Sequence, residues 1–190
     1  MTAKAALPVV GIFVGGASSR MGGHPKGLLH GPSGETIVGR WQRLCEEVGL
    51  PFTLVGDAGT YAHLGIDNVP DERPGQGPLG GLVGLLTARA EPQIIAVACD
   101  MPYVTADLLR RLAVEPSDRA VVAPREGALY QPLFARYEAA RVLPLARRQL
   151  DQGDGSLQRL LRTVGAAPFA LSEEEARLLA DWDEPADTGR

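Results

Sequence analysis

Short apolar runs rich in β-branched residues alternate along the chain with longer segments whose apolar residues recur every three or four positions. Such runs are typical of buried strands, and the wider spacing is typical of helices with one face in a core. The predicted strands are residues 9–14, 52–55, 66–69, 93–98, 119–123, 128–136 and 164–171. The predicted helices are residues 36–48, 79–90, 106–113, 138–150 and 156–162, with a capped helix start at residues 172–175.

Strands that alternate with helices indicate βαβ units, and therefore a three-layer α/β fold with a mostly parallel sheet. The carboxyl ends of parallel strands meet at one edge, where open α/β sheets bind ligands. That rule brings together the glycine pair at residues 15–16, Asp71 and Asp100, since each follows a predicted strand. The length of 190 residues suits a single domain, residues 1–190, with a sizeable core.

The first predicted strand runs directly into a glycine-rich segment, GGASSRMGGHPK, at residues 15–26. Glycines let backbone N–H groups approach an anion, because no Cβ stands in the way. Ser18 adds a hydroxyl, and Arg20 and Lys26 add positive charge, so the segment predicts a polyphosphate site. It matches neither the Walker A pattern nor the GxGxxG fingerprint. The alternative interpretation is an ordinary βα loop with two solvated basic side chains.

Three aspartates are candidates for contacts with a ligand or a metal. Asp100 follows a buried apolar run, so its carboxylate is expected to project into the cleft and bind Mg²⁺; the less favoured alternative is a turn residue or a helix N-cap. Asp183 is the natural second metal ligand, or simply part of an acidic tail. Asp71 precedes a Pro- and Gly-rich loop, where it either accepts hydrogen bonds from a base or ribose or sets the turn.

Composition excludes several other classes of protein. The net charge of −4 and the lack of a basic run argue against a nucleic-acid partner. Cys45 and Cys99 have no metal-ligand spacing and are expected to be reduced thiols. Pro8 and Gly11 interrupt the apolar N-terminus, and no run approaches the roughly 18 apolar residues of a membrane span, so we expect a soluble, cytoplasmic protein without membrane contact.

Three segments, in this order and spacing, resemble the molybdenum cofactor guanylyltransferases: GGASSRMGGHPKGLL, PDERPGQGPLGGLVGLL and ACDMPYVTADLL. These enzymes belong to the nucleotidyltransferases of the sugar-nucleotide type. The resemblance covers about residues 9–109 and continues weakly at residues 130–133 and 183–187. It implies a Rossmann-like fold and transfer of GMP from GTP to molybdenum-molybdopterin, with Mg²⁺ as cofactor and release of pyrophosphate. Because a pterin product is labile, we also expect transient contact with other cofactor-assembly proteins.

The resemblance also implies roles for individual residues. The backbone at residues 13–15 would contact the nucleotide, Asp71 the guanosine and Asp100 the Mg²⁺. The expected nucleotide-binding residues are Phe13, Val14, Gly15, Gly16, Ser18, Arg20, Lys26, Asp71, Gly77 and Asp100. The expected catalytic residues are Arg20, Lys26 and Asp100. The acceptor phosphate would attack the α-phosphorus in line, and the protein would position the groups and offset their charge without a covalent nucleophile.

The chain departs from the family pattern at several of these positions. Phe13 and Val14 replace Leu-Ala, and the bulkier Val14 is expected to crowd the base. Gly56 replaces an asparagine, which removes a polar contact to the nucleotide. The family's Asp-Lys is Pro25-Lys26 here, a pairing more typical of the cytidylyltransferase relatives.

The departures leave the choice of nucleotide open. The glycine pair at residues 15–16 and the GPLGGL segment at residues 77–82 favour GTP. The alternatives are a CTP-using cytidylyltransferase, a related transferase, or a nucleotide-binding module without turnover. Lys26 and Asp100 are both present, which disfavours the last of these. Asp181-Trp182-Asp183 replaces the family's Asn-x-Asn, and its added charge would strengthen a second metal position.

Overall fold

The computed structural model describes residues 7–15, 25–31, 34–56 and 58–180. Within these residues eight strands form one sheet, in the order β3-β2-β1-β4-β7-β5-β6, with β8 beside β5. The strands are β1 (Val9–Phe13), β2 (Phe52–Val55), β3 (Asn68–Val69), β4 (Gln93–Ala98), β5 (Val121–Glu126), β6 (Leu129–Tyr130), β7 (Phe134–Glu138) and β8 (Ala167–Phe169). Pairs β3–β2, β2–β1, β1–β4 and β5–β8 are parallel, whereas β7 runs antiparallel to both β4 and β5.

Helices cover both faces of the sheet, which confirms the predicted α/β fold with a mostly parallel sheet. The helices are α1 (Ile37–Val48), α2 (Ala58–Tyr61), α3 (Pro78–Ala88), α4 (Ala106–Val114), α5 (Ala139–Asp151), α6 (Leu157–Val164) and α7 (Glu173–Arg177). One core packs α1 and α4 against the sheet and contains Trp41 and Ile95. The other packs α3, α5 and α6 against the opposite face and contains Leu82 and Leu160.

Side-chain caps set the starts of several helices where the sequence predicts them. The hydroxyls of Thr36, Thr105 and Ser156 each accept a hydrogen bond from a backbone N–H in the first turn of α1, α4 and α6. Ser172 and Glu175 form a reciprocal capping box at the start of α7. Such caps satisfy N–H groups that have no partner within the helix.

Two predictions of secondary structure are wrong. The single strand predicted at residues 128–136 is two strands, β6 and β7, because Pro132 cannot donate to a ladder and the chain turns there. In this turn, Phe134 N donates to Gln131 O. Gly56, Asp57 and Gly59 predict a turn after the second strand, but this segment contains the short helix α2, followed by a 3₁₀ turn at Ala62–Leu64. A four-residue helix is too short to show an apolar period.

None of the helices within the described residues combines the length and apolar character needed to cross a bilayer.

Candidate active site

A cleft of about 530 Å³ opens at the carboxyl edge of the sheet, where the sequence places the ligand. Among the predicted site residues, the cleft is lined by Phe13, Val14, Gly15, Lys26, Asp71, Gly77 and Asp100. Gly16, Ser18, Arg20 and Asp183 lie outside the described residues. The lining also includes residues that the sequence analysis missed: Val55, Gly75, Pro78, Ala98, Cys99 and Leu133. The rule that ligands bind at strand ends would have identified three of these residues, since they end or follow predicted strands beside the site: Val55, Ala98 and Cys99.

Lys26 and Asp100, which lie 74 positions apart in the sequence, meet in this cleft. Lys26 Nζ lies 3.0 Å from Asp100 Oδ2, and the two side chains are 24% and 22% exposed. A partly exposed ion pair of this kind adds little to stability. The pair therefore matters mainly for chemistry, because it places an ammonium and a carboxylate side by side where a charged ligand can reach both.

The backbone before Asp100 is held from three directions. Cys99 N donates to Phe13 O of β1 (3.1 Å), and Ala98 N donates to Leu133 O beside β7 (2.8 Å). The indole of Trp41, from α1, donates to Cys99 O (3.3 Å). These bonds fix the end of β4 and aim the following carboxylate into the cleft.

The turn that carries Lys26 packs against the core between the sheet and helices α1 and α4. Lys26 begins this 3₁₀ turn, Lys26–Leu28, whose second residue is buried. A Cβ on Gly27 would lie 2.6 Å from Val38 Cγ2, so only glycine fits there. Gly27 N also donates to the hydroxyl of Tyr61 (3.2 Å), which ties the turn to α2. Helices α1 and α2 thus position the lysine.

Helix α3 approaches the Asp71 segment through its glycines. A Cβ on Gly81 would lie 2.7 Å from Asp71 Oδ1. A Cβ on Gly84 would come closer than 3.0 Å to the carbonyl oxygen of Pro70. At the N-terminus of α3, Gly77 and Pro78 line the cleft and no side chain caps the helix. The partial positive charge of this terminus favours an anion in the cleft.

Residues 10–171 match the model of the MobA-like NTP transferase domain. The chain belongs to this family. It is 34% identical to a probable molybdenum cofactor guanylyltransferase of Chloroflexus aggregans, over 93% of this chain and 89% of the relative. It is 34% identical to a molybdenum cofactor guanylyltransferase of Pseudomonas entomophila, over 95% of this chain and 96% of the relative. The resemblance drawn from the sequence is confirmed, and the chain is a member of a nucleotidyltransferase enzyme family.

Solved structures show the same fold. Molybdopterin-guanine dinucleotide biosynthesis protein A from Archaeoglobus fulgidus superposes with a TM-score of 0.77 at 19% identity, over 95% of this chain and 94% of that one. A 2-C-methyl-D-erythritol 4-phosphate cytidylyltransferase from Thermus thermophilus superposes with a TM-score of 0.67 at 14% identity, over 94% of each chain. The fold is therefore shared by enzymes named for different nucleotides.

In this MobA-like domain, the glycine that replaces the expected asparagine has a structural reason. Gly56 has a φ of +116°, and a Cβ there would lie 2.9 Å from Gly15 N and 3.0 Å from Gly15 Cα. Val14 N donates to Val55 O (3.0 Å), which holds the two backbones together. A side chain at position 56 would displace the Gly15 backbone that lines the cleft.

The second half of the MobA-like domain clamps the loop at residues 70–77. Arg73 Nη1 donates to Leu150 O (3.2 Å), and its guanidinium forms an ion pair with Asp151. A Cβ on Gly155 would come closer than 3.0 Å to the carbonyl oxygen of Gln76. The end of α5 and the turn after it therefore fix the loop that carries three lining residues of the cleft.

Cysteine chemistry has no evident part in the site. Burial raises the pKa of the Cys99 thiol to about 12, so this thiol is protonated at neutral pH. Among the described residues, no three His, Cys, Asp or Glu side chains form a cluster that could hold a metal ion. The cleft instead offers isolated carboxylates, which suits a metal bound jointly with substrate phosphates.

Burial raises the pKa of Asp71 above its ordinary value of 3.8. The charged form is thus disfavoured in the folded protein, and stability falls as the pH rises from about 3.8 through the raised pKa. We expect Asp71→Asn to increase the free energy of unfolding near neutral pH and to weaken nucleotide binding, because the carboxylate is the proposed acceptor for the nucleoside. Urea denaturation between pH 4 and 7 and calorimetric titration would measure the two effects.

The gain in stability from Asp71→Asn should shrink as the pH falls toward 4. Asp118→Asn, at a carboxylate that is 95% exposed, is the control and should change neither quantity. A gain that is independent of pH, or tighter nucleotide binding by the Asp71→Asn variant, would contradict the expectation.

Proposed function

We propose that this protein is a molybdenum cofactor guanylyltransferase, which transfers GMP from GTP to molybdenum-molybdopterin. The observation that carries the proposal is the cleft, in which the Lys26–Asp100 pair, Asp71 and the uncapped start of α3 face one ligand-sized space. The names of the relatives that match nearly the whole chain support the choice of substrates. In the reaction, an acceptor phosphate oxygen forms a bond to the α-phosphorus, and the bond to the β-phosphate breaks to release pyrophosphate.

The sheet order suggests how GTP would lie in the cleft. Asp71 and Val55 line it on the side of β3 and β2, where the nucleoside would lie. Asp100 follows β4 in the middle of the sheet, where the α-phosphate would lie beside Lys26. Lys26 would then exchange its carboxylate partner for phosphate oxygens and hold them during displacement. Arg20 is proposed to act on the same phosphates.

Asp100 is the proposed ligand of Mg²⁺. The donor chemistry fits, since Mg²⁺ in such sites is commonly held by one or two carboxylates together with substrate phosphates and water. When bound, the ion would offset the charge of the phosphates. Asp183 remains the proposed second carboxylate. We also propose that the protein acts in the cytoplasm, where it would transiently contact other cofactor-assembly proteins.

The first test is calorimetric titration with GTP, CTP and ATP in the presence of Mg²⁺. We expect GTP to bind at least about tenfold more tightly than CTP, a difference of about 1.4 kcal/mol. We expect Asp100→Ala to weaken this binding, while Asp118→Ala, remote from the cleft, leaves it unchanged. A preference for CTP would instead support a cytidylyltransferase, for which Pro25 beside Lys26 would be the telling feature. Absence of binding by any nucleotide would refute the proposal.

A further inference from the structure

The β5–β6 hairpin lies on the side of the cleft opposite the proposed nucleoside position. Beyond β4 the sheet continues through β7 to β5 and β6. Because β7 is antiparallel to β4, the start of β7 lies at the carboxyl edge, where Leu133 lines the cleft. Because β5 is antiparallel to β7, its C-terminal end lies at this edge too. An acceptor that attacks beside Asp100, with GTP on the β1–β3 side, would therefore come from the hairpin side.

The hairpin presents Arg125 and Tyr130 on the face of the sheet that packs against α3, α5 and α6. Val121 and Ala123 of β5 belong to the core under α3, α5 and α6, so alternation along the strand places Arg125 on that face. Tyr130, which pairs with Arg125 in register, packs against the same core. Phe13 and Val55, which line the cleft, also belong to this core.

Tyr130 is fixed firmly for a residue of a short surface hairpin. Its hydroxyl donates to Ala166 O (3.0 Å). Its backbone N–H donates to Gln158 Oε1 (3.1 Å), and its carbonyl oxygen accepts from Gln158 Nε2 (2.6 Å). These bonds run to α6 and to the start of β8, so the ring is held at its tip and at its backbone.

Arg125 is exposed but its side chain is also oriented. The guanidinium carbon lies 5.5 Å from the centroid of the Tyr130 ring. Its Nε donates to Gly127 O (2.7 Å). Within the part of the chain that the structure describes, the terminal nitrogens of Arg125 have no ion pair or hydrogen bond. A planar cation with unused donors therefore sits on a fixed aromatic ring.

We propose that Arg125 and Tyr130 form an acceptor subsite, in which Arg125 binds an oxyanion of the acceptor and the ring of Tyr130 holds the guanidinium in place. Guanidinium groups bind phosphate-type anions through paired donors, and the face of an aromatic ring orients such a cation. Three residues of chain span at most about 11 Å, so Tyr130 lies within about that distance of Leu133, which lines the cleft. The subsite rests on the proposed function, because the acceptor in that reaction carries a phosphate. The hairpin thus selects the acceptor, whereas residues 13–15 and 70–77 select the nucleotide.

The test measures the acceptor and the nucleotide separately. Binding of molybdopterin is followed by pterin fluorescence without GTP, and binding of GTP is followed by calorimetry. We expect Arg125→Gln to weaken molybdopterin binding roughly tenfold to a hundredfold, the loss of one or two charge-assisted hydrogen bonds. GTP affinity should stay within about twofold, and Arg125→Lys should recover part of the loss. Arg119→Gln, two residues before the start of β5, is the control and should bind both ligands normally.

Variants of Tyr130 separate the ring from its hydroxyl. Tyr130→Leu should weaken molybdopterin binding, whereas Tyr130→Phe should retain most of it, and thermal melting verifies that both variants fold. Equal binding of molybdopterin by wild type, Arg125→Gln and Tyr130→Leu would overturn the subsite, as would failure of wild type to bind it. If wild type binds molybdenum-molybdopterin and GTP but forms no dinucleotide, the proposed transfer fails. Weaker binding by Arg125→Gln would still support the subsite in that case.

Discussion

Asp100→Asn is expected to lower kcat roughly a thousandfold and Lys26→Ala roughly a hundredfold or more, the range seen when a charge-stabilising group is removed from a reacting centre. The asparagine keeps the shape of the side chain at the end of β4 but removes the charge that we assign to the metal. The alanine removes the ammonium 3.0 Å from that carboxylate. Steady-state assays of pyrophosphate release with GTP and molybdenum-molybdopterin would give kcat and KM for each variant.

The double variant should lose less activity than the product of the two single losses, because both groups act on the same phosphate charge. The melting temperature should change little in all three variants, since the pair is partly exposed. Removal of the Arg110–Asp107 pair, which lies on α4 with Asp107 89% exposed, is the matched control. Turnover by Asp100→Asn within about threefold of wild type would contradict the assignment of this carboxylate to the reacting centre.

Gly155→Ala is expected to lower both stability and GTP affinity, although residue 155 is not itself a lining residue of the cleft. Its Cβ would come closer than 3.0 Å to the carbonyl oxygen of Gln76, so the loop or the turn must move. Such overpacking typically costs about 1–3 kcal/mol, which corresponds to a fall of roughly 2–12 °C in melting temperature for a chain of this size. The displaced loop carries Gly75 and Gly77, so GTP should bind several-fold more weakly.

The control for this substitution is Gly31→Ala, because a Cβ on Gly31 would meet its nearest neighbour, Glu35 O, at an ordinary 3.8 Å. Differential scanning calorimetry with and without GTP would measure both effects. An unchanged melting temperature in Gly155→Ala would show that the turn after α5 can move at no cost in stability. The contacts of residues 150–155 would then not fix the loop at residues 70–77.

Residues at the ends of strands were predictable because the signal is local. Asp100 follows an apolar run and Asp71 follows a predicted strand, and the rule that parallel strands end at one edge then brings them together. The segment between Gly15 and Lys26 was predictable because its glycine-rich motif is contiguous in the sequence. The close approach of α3 was readable from its glycines, because a helix tolerates several of them only where backbones must come near each other.

Other parts of the site depend on contacts that no local pattern encodes. Leu133 reaches the cleft only because β7 inserts antiparallel between β4 and β5. Pro132 marks an irregular position within the predicted strand, but no local pattern shows that the chain divides there into β6 and β7. Arg73 and Asp151 are 78 positions apart in the sequence. Neither differs in sequence context from the other charged residues of an exposed surface, so the pair could not be predicted. Gly155 reads from sequence as a spacer between two helices, although its role is to admit the backbone of a distant loop.

The clamp at residues 150–155 also constrains when the protein becomes able to bind its ligand during synthesis. The first 100 residues carry the glycine-rich motif and both cleft carboxylates, yet the loop at residues 70–77 is held by α5 and the following turn. A growing chain that ends before residue 150 lacks that support, and one that ends before residue 133 also lacks the Leu133 wall. The proposed ligand, GTP, would stabilise only a form that binds it, and would therefore favour the completed fold but not its N-terminal half.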